Sequence, residues 1–187
     1  MGEFRSPYKR EREMETTKKD VLAIAKRVSD NRYNFLDANR NYLFDEWFDF
    51  VGDFSDGLAR IKRSDKKYNY IGEDGKFLSE QWFEWVGDFH NGLAMVGRED
   101  YQYNYIDKEG KLLSKDWFDC VEYFIDGLAV VQRANGECNF IDKQGKLLSN
   151  EWFSYVGYFD EYDLAKVKRT NGEWAKIDKT GKIVVRK

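Results

Sequence analysis

The feature that most constrains the fold of this chain is internal repetition with a period of 35 residues. The dipeptide Trp-Phe occurs four times, each copy 35 residues after the last, and begins at Trp47, Trp82, Trp117 and Trp152. Strand-like segments recur in the same register, for example at residues 68–71 and 103–106. Repetition at such a period indicates a repeat architecture, in which each unit buries its apolar face against its neighbours.

The register defines four full units and a terminal hairpin, which cover residues 32–66, 67–101, 102–136, 137–172 and 173–187. Within a unit, aromatic and β-branched segments alternate with glycine-containing turns, a pattern typical of antiparallel hairpins. We predict an all-β fold in which tandem hairpin or meander repeats form an elongated, twisted array. A small β-propeller is the alternative, although four-stranded blades usually need about 40–45 residues.

The first thirty residues have a different pattern. Residues 17–20 resemble a helix capping box, and an apolar stripe at helical spacing follows at Val21, Ile24, Ala25 and Val28. We therefore predict one short α-helix over residues 16–30 that covers the open end of the array. Residues 1–15 are charged and lack an apolar segment, so we predict a disordered extension there and no secretory signal.

The composition restricts the partners. The chain is 17% aromatic, which argues against disorder, and its 35% of charged residues leave a net charge of only -3. No overall field would draw such a chain to nucleic acid or to a membrane surface. No apolar run is long enough to span a bilayer. We expect a cytoplasmic protein without nucleic-acid or membrane partners.

Catalysis, metals and cofactors find little support. His90 is the only histidine, and Cys120 and Cys138 are too few for a four-ligand zinc site or a disulfide framework. Acidic residues recur beside the tryptophans, whereas a catalytic pair belongs at one place. We therefore expect solvated faces or ion pairs from Asp49, Glu84 and Asp119, with the recurring Arg63, Arg98, Arg133 and Arg169 as partners. We predict no enzyme activity, no catalytic residues, no metal site and no cofactor.

A large aromatic at a fixed place in every unit is what stacking of units requires. We predict a structural repeat core formed by Trp47, Trp82, Trp117, Trp152, Leu58, Leu93, Leu128 and Leu164. An evenly spaced tryptophan ladder could also stack on sugar rings, which leaves carbohydrate or cell-wall binding open as an alternative.

One position changes while its neighbours repeat: it holds Phe50, Trp85, Cys120 and Tyr155 in successive units. A position that stacking does not fix is a candidate for recognition if it faces outward. We predict Phe50, Trp85 and Tyr155 as partner-binding residues.

The segments at residues 54–59, 89–94 and 124–129, each followed by Ile-Asp-x-x-Gly-Lys or a close variant, resemble the WG-repeat (KWG) family of bacterial proteins. The Trp-Gly pair of that family is Tyr-Asn in three copies here, so the chain looks like a divergent branch. The resemblance implies β-rich repeats that mediate interactions without shared chemistry. We expect a non-enzymatic binding or scaffold module for another protein, with a structural self-assembly element as a further alternative.

Overall fold

The structure, a computed structural model, describes residues 21–184. The predicted extension over 1–15 and the start of the predicted helix lie outside them. The described residues form fifteen strands and no helix, which confirms the all-β fold: β1 (Val21–Arg27), β2 (Arg32–Asp37), β3 (Phe50–Val51), β4 (Leu58–Lys62), β5 (Tyr68–Gly72), β6 (Trp85–Val86), β7 (Leu93–Gly97), β8 (Tyr103–Asp107), β9 (Cys120–Val121), β10 (Leu128–Gln132), β11 (Cys138–Asp142), β12 (Phe153–Phe159), β13 (Leu164–Arg169), β14 (Trp174–Asp178) and β15 (Ile183–Val184).

The repeating element is an antiparallel meander of three strands. A short strand pairs with a five-residue strand, which pairs with the next five-residue strand, in β3–β4–β5, β6–β7–β8 and β9–β10–β11. Two residues at positive φ, Asp56 and Gly57, form the tight turn before β4, and Asn91-Gly92 and Asp126-Gly127 do so in the next units. Asp-Gly and Asn-Gly are the favoured dipeptides for a turn of this kind.

A buried asparagine shapes the chain after each long hairpin. Leading away from β5, the chain turns at Gly75 and pairs again with β5 at two places, through bridges between Ile71 and Phe77 and between Tyr68 and Phe83. The side chain of Asn69 fills the gap, because its amide nitrogen donates to the carbonyl oxygens of Ser79 (2.8 Å) and Gln81 (3.4 Å). The same bonds recur at Asn34, Asn104 and Asn139, which are all fully buried.

The meanders stack face to face, and four hydrophobic clusters lie between them. The second long strand of each unit is buried on both faces and joins two clusters. In β5, Ile71 belongs to the first cluster, and its neighbour Tyr70 points the other way into the second. Side chains alternate along a strand, so adjacent residues serve opposite faces. One strand therefore carries two successive cores.

The hairpin glycines set how closely the units approach. A Cβ atom on Gly110 would lie 2.0 Å from the carbonyl oxygen of Leu78 in the preceding unit, and φ at Gly110 is +81°. Gly145 and Gly181 have the same two constraints. In the first unit the equivalent residue is Arg40, which keeps the positive φ of 63°. No residue equivalent to Leu78 lies against Arg40 among the described residues, because such a residue would precede residue 21.

The N-terminal helix prediction is wrong for the residues that the structure describes. Residues 21–27 form β1, which pairs antiparallel with β2, and Val28 lies exposed in the turn between the two strands. The segment Leu22-Ala23-Ile24-Ala25-Lys26-Arg27 matches Leu58-Ala59-Arg60-Ile61-Lys62-Arg63 at an offset of 36 residues. It is thus part of a repeat unit, and pairing with β2 outweighs its helical apolar spacing.

The array is open along the described residues. Every strand pair joins neighbours in the chain order, and no pair or cluster within 21–184 links β1 and β2 to the last strands. The units therefore follow one another as stacked meanders.

Candidate functional site

The four residues at the changing position, here called the variable row, occupy equivalent places at the start of a unit. Phe50, Trp85 and Cys120 begin β3, β6 and β9, and Tyr155 lies near the start of β12. All four are exposed, with 40%, 43% and 48% of Phe50, Trp85 and Tyr155 accessible to solvent. The structure thus places the three predicted partner-binding residues on the surface.

Each residue of the row is the first member of a cross-strand set of three. Phe50 pairs with Lys62, which pairs with Tyr68, and the Lys62 amine lies 4.7 Å from the centre of the Tyr68 ring. The next sets are Trp85-Gly97-Tyr103, Cys120-Gln132-Cys138 and Tyr155-Lys168-Trp174. Each unit therefore shows a different chemistry on the same backbone frame.

The two cysteines are free thiols on strands that flank β10. Two strand spacings separate β9 from β11, about 10 Å, which is too far for a disulfide. Burial raises the pKa of the Cys138 thiol and keeps it protonated. Across the described residues, no group of three or more His, Cys, Asp and Glu side chains could hold a metal ion.

Three of the four predicted core tryptophans lie at the edges of the seams between units, whereas Trp47 contacts the Tyr42 ring at 4.9 Å. Trp82 packs against the first cluster, Trp117 against the second and Trp152 against the third, and each is only partly buried. The side chains that fill the interior are instead the neighbouring Phe48, Phe83, Phe118 and Phe153. The leucines reach across the same seams, since Leu58 packs on the second cluster, Leu93 belongs to the third and Leu128 packs on the fourth, while Leu164 is partly buried in β13.

An arginine covers one ring face of each ladder tryptophan. The Arg63 guanidinium lies 4.1 Å from the Trp82 ring centre, and equivalent pairs at 4.4–4.9 Å join Arg27 to Trp47, Arg98 to Trp117 and Arg133 to Trp152. A sugar ring that stacked on this face would first have to displace the arginine. The geometry therefore favours a structural use of the ladder.

The sequence led us to expect ion pairs between the recurring arginines and the acids beside the tryptophans. Among the described residues Arg169 forms such a pair, with Glu151 at 3.1 Å, whereas the other recurring arginines pair within their own turns. Arg63 binds Asp65 in its own turn at 2.6 Å. Asp49 is bound instead by Arg32 at 3.5 Å and Lys66 at 2.6 Å. Arg63 does not serve Asp49, because its guanidinium is held by Asp65 and lies over the Trp82 ring.

A second surface was missed in the sequence. It consists of His90, Tyr123, Ile125 and Tyr158 and is here called the turn-side surface. Its residues lie at the strand ends that are opposite to the turns joining two long strands, such as β10 and β11. Tyr123, Ile125 and Tyr158 are 63%, 59% and 68% exposed, and the rings of His90 and Tyr123 are 5.7 Å apart. The sequence did contain a sign of this surface, namely a second position that varies between units. It holds aspartate in the first two units, at Asp53 and Asp88, and tyrosine in the next two, at Tyr123 and Tyr158.

Tyr123 separates two clefts on this surface. The first, of about 360 Å³, is lined by Asp88, His90, Asn91, Leu93, Met95, Tyr105, Tyr123 and Phe124. The second is lined among others by Glu122, Asp126, Tyr158 and Lys179. The two clefts share Tyr123, and carboxylates are among the residues that line each of them.

Residues 48–68 and 70–100 match the family model of the WG-containing repeat. This match confirms the resemblance to WG-containing repeats over residues 48–100. The later units have the same short and long strands, turns and buried asparagine as the two that the family model matches. No curated protein matches this chain. None of the described residues forms a helix long and apolar enough to cross a membrane.

Three solved structures illustrate the range of similar folds. The computationally designed Ika8 protein is 16% identical with a TM-score of 0.39, and the match covers 90% of this chain and 62% of Ika8. BamB from Moraxella catarrhalis is 12% identical, with a TM-score of 0.35 and coverage of 82% and 57%. KlHsv2 with loop 6CD replaced by a Gly-Ser linker is 10% identical, with a TM-score of 0.40 and coverage of 82% and 58%. The chain thus spans about three fifths of these proteins.

Proposed function

We propose that this chain is a non-enzymatic binding module whose partner is another protein, and that the variable row is its contact surface. The observation that carries the proposal is the contrast between the row and its surroundings. The core phenylalanines and buried asparagines repeat in the full units, whereas the exposed residues Phe50, Trp85, Cys120 and Tyr155 differ. Stacking of the units would allow the same residue type at this position in every unit. The variation of the row therefore points to recognition of a partner.

The chemistry of the row suits a protein partner. Exposed aromatic side chains provide large contact areas at a small entropy cost and are enriched at protein interfaces. The neighbouring Lys62 and Lys168 add charge beside Phe50 and Tyr155. A bacterial origin and a cytoplasmic location belong to the same proposal as predictions from the sequence.

The proposal is tested with a triple variant, Phe50→Ser, Trp85→Ser and Tyr155→Ser, used as bait beside the unaltered chain. A matched control carries Tyr42→Ser, Tyr101→Ser and Tyr162→Ser, three exposed aromatics outside the row. We expect the control to recover the same cross-linked partner as the unaltered chain and the row variant to lose it. Circular dichroism and a melting curve check that all three proteins are folded.

Equal recovery of the partner by the row variant and the control would refute the row as the contact surface. Loss of the partner from both would show that any exposed aromatic matters equally, which also contradicts the proposal.

A further inference from the structure

The turn-side surface shares no residue with the variable row and has its own chemistry. Tyr123, Ile125 and Tyr158 are the exposed apolar members, and both tyrosines line the second cleft. Exposed aromatics that share a cleft form a binding surface more often than isolated ones do. A partner of defined chemistry should therefore fit here.

The rim of the two clefts is acidic. Asp88, Glu122 and Asp126 line them, against one lysine, Lys179. Asp88 is paired with Arg60 at 3.2 Å, and Lys179 is shared between Asp126 at 3.5 Å and Asp163 at 2.7 Å.

Glu122 has no ion pair among the described residues. Its carboxylate lies against the Tyr158 hydroxyl, and the negative charge raises the pKa of that phenol. The surface therefore presents an available carboxylate directly beside an exposed aromatic ring.

The same chain shows what group fits between a carboxylate and an aromatic ring. Arg63 is held by Asp65 while its guanidinium lies over Trp82, and Arg98 is held by Asp100 over Trp117. A guanidinium can do both at once, because it is planar, weakly hydrated and able to form two parallel hydrogen bonds with a carboxylate. Lys179 also lies between a carboxylate, that of Asp163 at 2.7 Å, and a ring, that of Phe159 at 5.8 Å. Its amine is a compact charge that cannot form two parallel hydrogen bonds with one carboxylate, so an arginine fits this arrangement better.

We propose that the turn-side surface binds an arginine-bearing segment of a partner protein, with the guanidinium between Glu122 and the rings of Tyr123 and Tyr158. The inference rests on the proposed protein-binding function but uses a different set of residues. Tyr123 and Tyr158 belong to the third and fourth units, so the site is confined to the C-terminal half of the chain.

Fluorescence anisotropy with three labelled decapeptides tests the proposal on the full chain: alternating Arg and Ser, alternating Lys and Ser, and alternating Glu and Ser. We expect the Arg peptide to bind more tightly than the Lys peptide and the Glu peptide not to bind. Tyr123→Asp should weaken binding of the Arg peptide about fivefold or more, since a ring is lost. Aspartate is already accepted at this position in the first two units, so the variant should fold.

The matched control is Tyr101→Asp, which adds the same charge and removes an exposed tyrosine in the turn between β7 and β8. It should leave binding of the Arg peptide unchanged within about twofold, because it is distant from the clefts. Glu122→Gln should weaken the Arg peptide while leaving the fold intact.

Unchanged or tighter binding by Tyr123→Asp would show attraction by charge alone and overturn the proposal. Equal binding of all three peptides, no binding of any, or a dimer that buries this surface in sedimentation would also overturn it. These outcomes are independent of the variable row, because a failed peptide test leaves capture of a partner by the row intact, and the reverse also holds.

Discussion

Phe118 and Trp117 are neighbours in the third unit, but only Phe118, at 2% exposure, lies inside the core. Phe118→Ala should therefore lower the free energy of unfolding by about 3–5 kcal/mol, as for other buried aromatics. Trp117→Ala should cost only about 1–2 kcal/mol, from partial burial and the lost contact with Arg98. Urea denaturation followed by circular dichroism gives both values. A larger loss for Trp117→Ala would show that the tryptophans form the true core.

The buried asparagine is the other decisive residue. Asn104→Ala removes the donor to the Ser114 (2.9 Å) and Asp116 (3.1 Å) carbonyl oxygens and the acceptor for the Tyr105 amide. Buried polar groups left without partners are costly, so we expect a loss of about 2–4 kcal/mol of unfolding free energy. Asn150→Ala, at an exposed site for which no side-chain hydrogen bond is described, is the control and should change stability little. The same urea titration measures both, and equal losses would contradict the role of the asparagine.

At the scale of the structural element, two glycines with the same backbone conformation separate two causes of strain. Gly110 and Gly127 have φ of +81° and +85°, but only at Gly110 would a Cβ meet the preceding unit. Gly127→Ala should cost about 1–2 kcal/mol for the left-handed conformation alone. Gly110→Ala should cost at least about 2 kcal/mol more, because the units must move apart. Thermal unfolding would measure the difference, and equal costs would contradict the close approach.

The elements that the sequence predicted correctly are those with local signals. Strands and turns from residue 32 onward followed from alternating aromatic segments and from the Asp-Gly and Asn-Gly pairs. The sequence made the variable row a candidate for recognition only if it faced outward, and the structure shows that its residues are exposed. β1 was misassigned because Val21, Ile24 and Ala25 fit a helix equally well and its match to β4 has an offset of 36 residues. The partial exposure of the tryptophans depends on where neighbouring units touch, and the 35-residue spacing of the tryptophans carries no information about those contacts.

At the scale of the whole molecule, the last meander ends on a charged face. Lys176 stands where Tyr70, Tyr105 and Phe140 fill the seams of earlier units, and Lys166 stands where Val130 does. The Lys166 amine lies 4.0 Å from the ring centre of Trp174, so it covers this otherwise apolar face. Another unit that stacked here would have to bury the Lys166 charge and the ion pair of Lys176 with Asp160 (2.9 Å), which is costly.

The variant Lys166→Val and Lys176→Phe restores the apolar pattern of an internal face. We expect it to self-associate with rising concentration in sedimentation velocity, because the new face matches an internal seam. The control, Lys111→Val and Lys146→Phe, removes the same charge from exposed turn positions and should sediment as the unaltered chain does. A variant that stays in the state of the unaltered chain would show that the lysines do not limit stacking.

The two-sided burial of strands such as β5 has a consequence for how a protein of this kind can change over generations. Every internal unit meets the one before and the one after through the same side chains, so duplication of a 35-residue stretch of the gene would lengthen the protein without new contacts having to arise. Each inserted copy would also bring one more outward position, free to mutate because the interior does not depend on it.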